Sequence, residues 1–182
     1  MSQLNVADIR NIVLCGHGGA GKTTLADTLL HKTGAVSQQG SVDAGNSICD
    51  FDDEEKHHKY SIESSVVHFE SHGKYFNLID APGYPDFIGQ TIGALRAADT
   101  AAIVINAQSG IEVNSRRCFE EAGKAGVGRM IVINKLDAEN VNFPELIDSI
   151  KEVWGNACVP FNVPLGSGHD FRGVASCLDL EG

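Results

Sequence analysis

Short apolar runs recur along this chain, each ending in a polar or glycine-rich segment: Ile12-Val13-Leu14-Cys15, Tyr75-Phe76-Asn77-Leu78-Ile79, Ala101-Ala102-Ile103-Val104-Ile105 and Met130-Ile131-Val132-Ile133. Runs of this length bounded by turn residues predict strands covered on both faces. Between them the apolar period becomes helical. Leu25 and Leu29 stand one turn apart, and Ile88, Ile92 and Leu95 recur at helical spacing. A helix is expected from about Ser115 to Ala125, and Leu146, Ile147, Ile150, Val153 and Trp154 mark another, with Pro144 and Glu145 at its start and Gly155 past its end. This alternation predicts an α/β fold, a mostly parallel sheet with helices on both faces. One antiparallel edge strand is expected from Ser61 to Glu70, turning at His72-Gly73 into the Tyr75 run. From Thr33 to Lys59 aliphatics are sparse, which predicts a long mobile connection of the kind that tends to be functional.

Composition narrows the classes. A chain of 182 residues that is 42% hydrophobic can bury the core of one domain. It contains no run of about 20 apolar residues and no charged-then-apolar leader, so a cytoplasmic location is expected, with neither a membrane span nor a secretion signal. Five cysteines without paired ligand spacing read as reduced thiols, and Cys15 as a small core residue. His57 and His58 are adjacent and point different ways, which predicts a solvated loop pair rather than a shared metal site. A net charge of −10 argues against autonomous nucleic-acid binding. The cluster Asp50, Asp52, Asp53, Glu54 and Glu55 is expected on an exposed face.

Chemistry enters at the end of the first apolar run. Gly16-His17-Gly18-Gly19-Ala20-Gly21-Lys22-Thr23-Thr24 has the strand, glycine loop and helix order of a phosphate-binding loop. Backbone N–H groups and the helix N-terminus of such a loop converge on phosphate oxygens. Lys22 is then the cation for the β- and γ-phosphates, and Thr23 the hydroxyl for Mg²⁺.

The base is addressed by Asn134-Lys135-Leu136-Asp137, at the end of the fourth run. A carboxylate at Asp137 can accept from the ring N–H and exocyclic amine of guanine, whereas adenine presents an acceptor there and leaves the charge unpaired. The stem of Lys135 can lie against the base plane. Asp80-Ala81-Pro82-Gly83 closes the second run. Asp80 is placed to hold the metal through water, and the Gly83 N–H to meet the γ-phosphate.

These segments, with Asp86-Phe87 and Ala107-Gln108-Ser109-Gly110-Ile111, resemble the N-terminal GTPase domain of translation factors related to elongation factor G, and most of all the divergent paralogues with an Asp-Ala-Pro-Gly-Tyr second motif. The resemblance implies a P-loop NTPase G domain that binds GTP and GDP with Mg²⁺, hydrolyses GTP and acts on the ribosome. It aligns Ser61 with the first-switch threonine that closes over Mg²⁺, while the preceding Arg-Gly becomes His58-Lys59. It also aligns Tyr84 with the histidine that positions the attacking water. A phenol with a reference pKa of about 10 is a poor proton acceptor at neutral pH, so slow hydrolysis is expected.

The family's remaining guanine loop, with its Ser-Ala pair, does not occur by Gly182, and Phe161-Asn162-Val163-Pro164-Leu165-Gly166 resembles the start of an inserted subdomain. Residues 1–155 are therefore expected to form an incomplete GTP-binding domain, 156–182 to begin the insertion, and the chain to be a fragment of a larger factor. The alternatives are a switch module with weak or no hydrolysis, an ATP-using P-loop enzyme, and a ribosomal-protection or release-factor-type GTPase.

Overall fold

The computed structural model describes residues 5–178, so the end of the expected 156–182 segment lies outside the described residues. In chain order the elements are β1 (Ile9–Gly16), α1 (Lys22–Lys32), α2 (Asp53–His58), β2 (Ser65–Ser71), β3 (Lys74–Asp80), α3 (Ile88–Leu95), β4 (Thr100–Asn106), α4 (Val113–Ala125), β5 (Gly128–Asn134), α5 (Phe143–Trp154), β6 (Asn162–Leu165) and β7 (Gly173–Ser176). The main sheet has strand order β2-β3-β1-β4-β5, with β1 parallel to both β3 and β4 and β2 antiparallel to β3. That is the mostly parallel sheet with one antiparallel edge that the apolar runs predict. The chain divides into two compact units, residues 1–104 with 113–132 and residues 105–112 with 133–182.

In the first unit the core follows from the central strands. Val13, Leu14 and Cys15 of β1 and Ala101 to Val104 of β4 are buried, as strands covered on both faces must be. Cys15 is the core residue its position predicts, and it is a free thiol like the other four cysteines. The buried stripe of α1 centres on Ala26 and Leu30, which pack against Leu14, Leu78, Ala102 and Val104, while Leu25 and Leu29 flank it half-buried. The helical period is legible in the sequence, but its inward axis lies one residue further along.

The β2–β3 hairpin turns through His72 (φ 49°) and Gly73 (φ 73°), a left-handed pair that suits the twist of a two-residue turn. Along β2, Val67 and Phe69 face the core and Val66, His68 and Glu70 face out. The strand starts at Ser65 rather than Ser61. The reason is local: the Ile62 and Glu63 N–H groups donate to Glu55 Oε1, at 2.8 and 3.1 Å, and so take no part in a sheet ladder.

Glu55 also corrects two other expectations. The 33–59 connection carries its own helix, α2, closed by a capping box in which the Asp52 side chain accepts from Glu54 N at 2.8 Å and Glu55 Oε2 accepts from Asp52 N at 3.2 Å. The acidic cluster is accordingly not one exposed face. Asp50 and Glu55 are buried, whereas Asp52, Asp53 and Glu54 stay exposed. Burial of Glu55 is compensated by three backbone donors to one carboxylate, the condition under which a buried charge is tolerated. His57 and His58 are exposed as expected, but on the last turn of α2 instead of in a loop.

In the second unit α5 buries Leu146 and Ile150. Its start and stop match their chemistry: the Asn142 side chain accepts from Glu145 N, Pro144 sits in the first turn, and Gly155 (φ 94°) ends the helix. β6 and β7 pair as an antiparallel hairpin, with Asn162 opposite Ser176.

Candidate nucleotide site

The first unit gathers its polar residues where β1 gives way to α1. Gly16 has φ 139°, and any Cβ there would collide with the Val104 carbonyl, so the loop begins pressed on β4. Gly19 (φ 75°) and Gly21 (φ 92°) take left-handed conformations that L side chains adopt only with strain. Gly21 is also the N-cap of α1 and supplies no side-chain acceptor. The helix therefore presents its positive end without a capping side chain, the arrangement that suits an anion. Lys22 is buried, and its Nζ donates to the His17 carbonyl at 2.8 Å. Thr24 is exposed, and its carbonyl accepts from Thr28 Oγ1 at 2.7 Å.

In the first turn of α1, Thr23 Oγ1 donates to Asp80 Oδ2 at 2.6 Å and lies 3.2 Å from Ser61 Oγ, which donates to Asp50 Oδ1 at 2.7 Å. Thr23 Oγ1 and Ser61 Oγ thus each lie within hydrogen-bond reach of a carboxylate and of one another. Asp80 Oδ1 is buried without a hydrogen-bond partner. Burial pushes the Asp80 carboxyl up to about 7, against the opposing pull of the Thr23 hydroxyl and Lys22. Burial raises Asp50 as well, although Ser61 donates to it. A cluster of hydroxyl and carboxylate oxygens with an unsatisfied acceptor fits a hard divalent cation such as Mg²⁺.

The second-motif segment leaves β3 with Ala81 N donating to Leu14 O at 3.1 Å. Gly83 then packs on the loop: a Cβ there would overlap Lys22 Nζ and stand 2.7 Å from Gly18 N. The ring of Tyr84 covers Gly18, within 3.2 Å of where a Cβ on that glycine would lie, and meets the Tyr60 ring at a centroid distance of 4.7 Å. Tyr60 in turn lies 5.6 Å from His58. The first unit thus brings together the glycine loop, Lys22, Thr23, Ser61, Asp80, Gly83 and Tyr84.

Asn134, Lys135 and Asp137 fall in the second unit. Asn134 O accepts from Ala107 N at 2.8 Å, tying the motif to Ala107-Gln108-Ser109-Gly110. Lys135 (φ 60°) takes a left-handed turn closed by Ala138 N donating to Lys135 O at 3.1 Å. Lys135 and Asp137 are exposed. Sequence reasoning missed Asp50 as the partner of Ser61, Tyr60 as the neighbour of Tyr84, and Thr91 and Asn114, which bond the second-motif backbone. Asp52 and Glu55 at capping-box spacing are the one signal that could have exposed the order in the first-switch segment.

Residues 7–180 match the profile of the elongation factor Tu GTP-binding domain. The chain belongs to that family. It is 38% identical over 160 residues to the elongation factor G-like protein of Mycobacterium tuberculosis (strain ATCC 25618 / H37Rv), covering 88% of this chain and 22% of that protein. It is 37% identical over 169 residues to peptide chain release factor 3 of Lactococcus lactis subsp. cremoris (strain SK11), covering 91% of this chain and 32% of that protein. A crystal structure of a protein from Thermus thermophilus superposes with a TM-score of 0.89 at 36% identity, over 93% of this chain and 26% of that one. This is a GTP-binding domain of the translation-factor GTPase family, and it spans about a fifth of the length of the M. tuberculosis relative.

Proposed function

We propose that this domain binds GTP and GDP together with Mg²⁺ and acts as the nucleotide switch of an elongation factor G-like factor on the ribosome, with slow intrinsic hydrolysis. The observation that carries the reading is the Thr23, Asp80, Ser61 and Asp50 oxygen cluster beside a buried Lys22 at the mouth of a glycine loop. Thr23 and Ser61, with Asp80 acting through water, are the residues that would hold Mg²⁺. When bound, the ion supplies positive charge for the β- and γ-phosphate oxygens. Gly16 to Thr24 cradle the phosphates, and Lys22 neutralises charge developing on the leaving diphosphate. The Gly83 N–H meets the γ-phosphate, Tyr84 orients the attacking water, and Asn134, Lys135 and Asp137 take the guanine base. Residues 156–182 begin an inserted subdomain of the larger factor, which works in the cytoplasm and supplies the ribosome contacts that a domain of net charge −10 does not provide.

A second reading is favoured by Tyr84 alone. Its ring rests on Gly18 and Tyr60 and offers no strong base to a water, so the domain could signal by occupancy without turnover. Calorimetry with Mg²⁺ tests the main proposal: binding of GDP and GTP but not ATP is expected, and no heat with either guanine nucleotide on folded protein would overturn it. Single-turnover GTP hydrolysis by the larger factor, with and without ribosomes, separates the two readings, since only the hydrolase gains rate on the ribosome.

A further inference from the structure

The peptide carbonyls on either side of the Gly83 nitrogen and α-carbon are both held from behind. Thr91 Oγ1 of α3 donates to Pro82 O at 3.3 Å, and Asn114 Nδ2 of α4 donates to Gly83 O at 2.6 Å. Both side chains are buried, Thr91 at 0% and Asn114 at 2% exposure. Asn114 Oδ1 is itself buried with no hydrogen-bond partner. An unpaired buried amide oxygen is costly, and an apolar side chain of similar volume would avoid the cost. Filling space is therefore a poor account of an amide at this position. Its donor is the useful half.

On its other side Gly83 faces the glycine loop. A Cβ on Gly83 would overlap Lys22 Nζ and come within 2.7 Å of Gly18 N and 2.8 Å of His17 C. Lys22 Nζ is meanwhile turned onto the His17 carbonyl, 2.8 Å away. Lys22 is the group that reaches the β- and γ-phosphates in a loop of this kind. Gly83 so placed lacks even a methyl group's worth of space beside the Lys22 tip, which is where a γ-phosphoryl group would reach and a diphosphate, one group shorter, would not.

We propose that Asn114 is a positioning residue that holds Gly83 against Lys22 and so sets the preference of this site for a nucleoside diphosphate over a triphosphate. The inference rests on the guanine-nucleotide reading above. The Asn114–Gly83 bond belongs to the arrangement in which Gly83 lies on the loop. It stabilises that arrangement selectively, and a ligand that needs Gly83 displaced must overcome it.

The test is equilibrium binding of fluorescent GDP and of a non-hydrolysable GTP analogue, with Mg²⁺, to the 182-residue chain and to its Asn114→Ala and Asn114→Asp variants. Loss of one buried bond should shift the ratio of the two dissociation constants toward the triphosphate by about five- to tenfold, with GDP affinity changed by less than about twofold. Asn114→Asp should shift it at least as far, because a carboxylate opposite the Gly83 carbonyl repels where the amide attracted. An unchanged ratio, or a shift toward GDP, in either folded variant overturns the proposal. Failure of both variants to fold would make Asn114 a structural strut and overturn it equally. Absence of guanine-nucleotide binding by the unaltered chain would instead remove the functional reading, and this inference with it.

Discussion

Thr23 Oγ1 donates to Asp80 Oδ2 across 2.6 Å, joining the first turn of α1 to the last residue of β3. The bond places a hydroxyl proton where a cation would draw on the same oxygens. It also makes the metal-free protein sensitive to pH.

Asp80 is fully buried and its carboxyl is raised to about 7 by burial. Because the folded state binds this proton more tightly than the unfolded chain, metal-free stability should fall as pH rises from about 4 to about 7, by up to about 4 kcal/mol from this group. Urea denaturation at pH 5 and pH 7.5 without divalent ions checks it. Asp80→Asn should flatten the dependence and also lower Mg²⁺-dependent nucleotide affinity; an equal slope in both proteins would contradict the assignment.

The base-reading role of Asp137 predicts a change of specificity rather than plain loss. Asp137→Asn should weaken GDP binding by about 10² to 10⁴ and relatively favour xanthine diphosphate, whose ring oxygen can accept from the new amide. Competition titration of the two diphosphates gives the answer. Unchanged GDP affinity would clear Asp137 of that role.

Replacing the phenol by an imidazole tests how far Tyr84 limits the chemistry. In the larger factor, Tyr84→His should raise ribosome-stimulated single-turnover hydrolysis by about tenfold or more, within the range of a positioned proton-transfer group. GDP affinity is measured alongside, because the Tyr84 ring covers Gly18 of the phosphate loop. No gain in rate would point to the occupancy-only switch.

Glu55 gives a prediction about folding. Its carboxylate accepts from Asp52, Ile62 and Glu63 N–H groups. Glu55→Ala leaves these partly buried donors unpaired and should cost about 2 to 4 kcal/mol. A thermal melt would show it, and a loss under about 0.5 kcal/mol would mean that the first-switch segment is not held by this residue.

What could be read from the chain, and what could not, follows from the range of the interactions. β1, β4 and the β2–β3 hairpin are written in contiguous apolar runs and a His72-Gly73 turn, so local pattern suffices. The glycine loop and Lys22-Thr23 are equally local, because positive φ at Gly19 and Gly21 demands the residues that stand there. The burial of Asp50 and Glu55 is not legible because a run of acids looks alike whether its carboxylates meet water or, as here, a serine hydroxyl 11 residues away and backbone N–H groups 7 and 8 residues away. Asn114 left no trace in any periodicity, since its partner Gly83 lies 31 positions upstream and the bond is made to a carbonyl that every residue possesses.

The touching rings of Tyr60 and Tyr84 carry one more implication. Lifting Tyr84 off Gly18 also removes a ring against which Tyr60 leans, and Tyr60 lies two residues past the end of α2. The two segments should then unlock as one event, so that a spectroscopic label on either would report the same relaxation time.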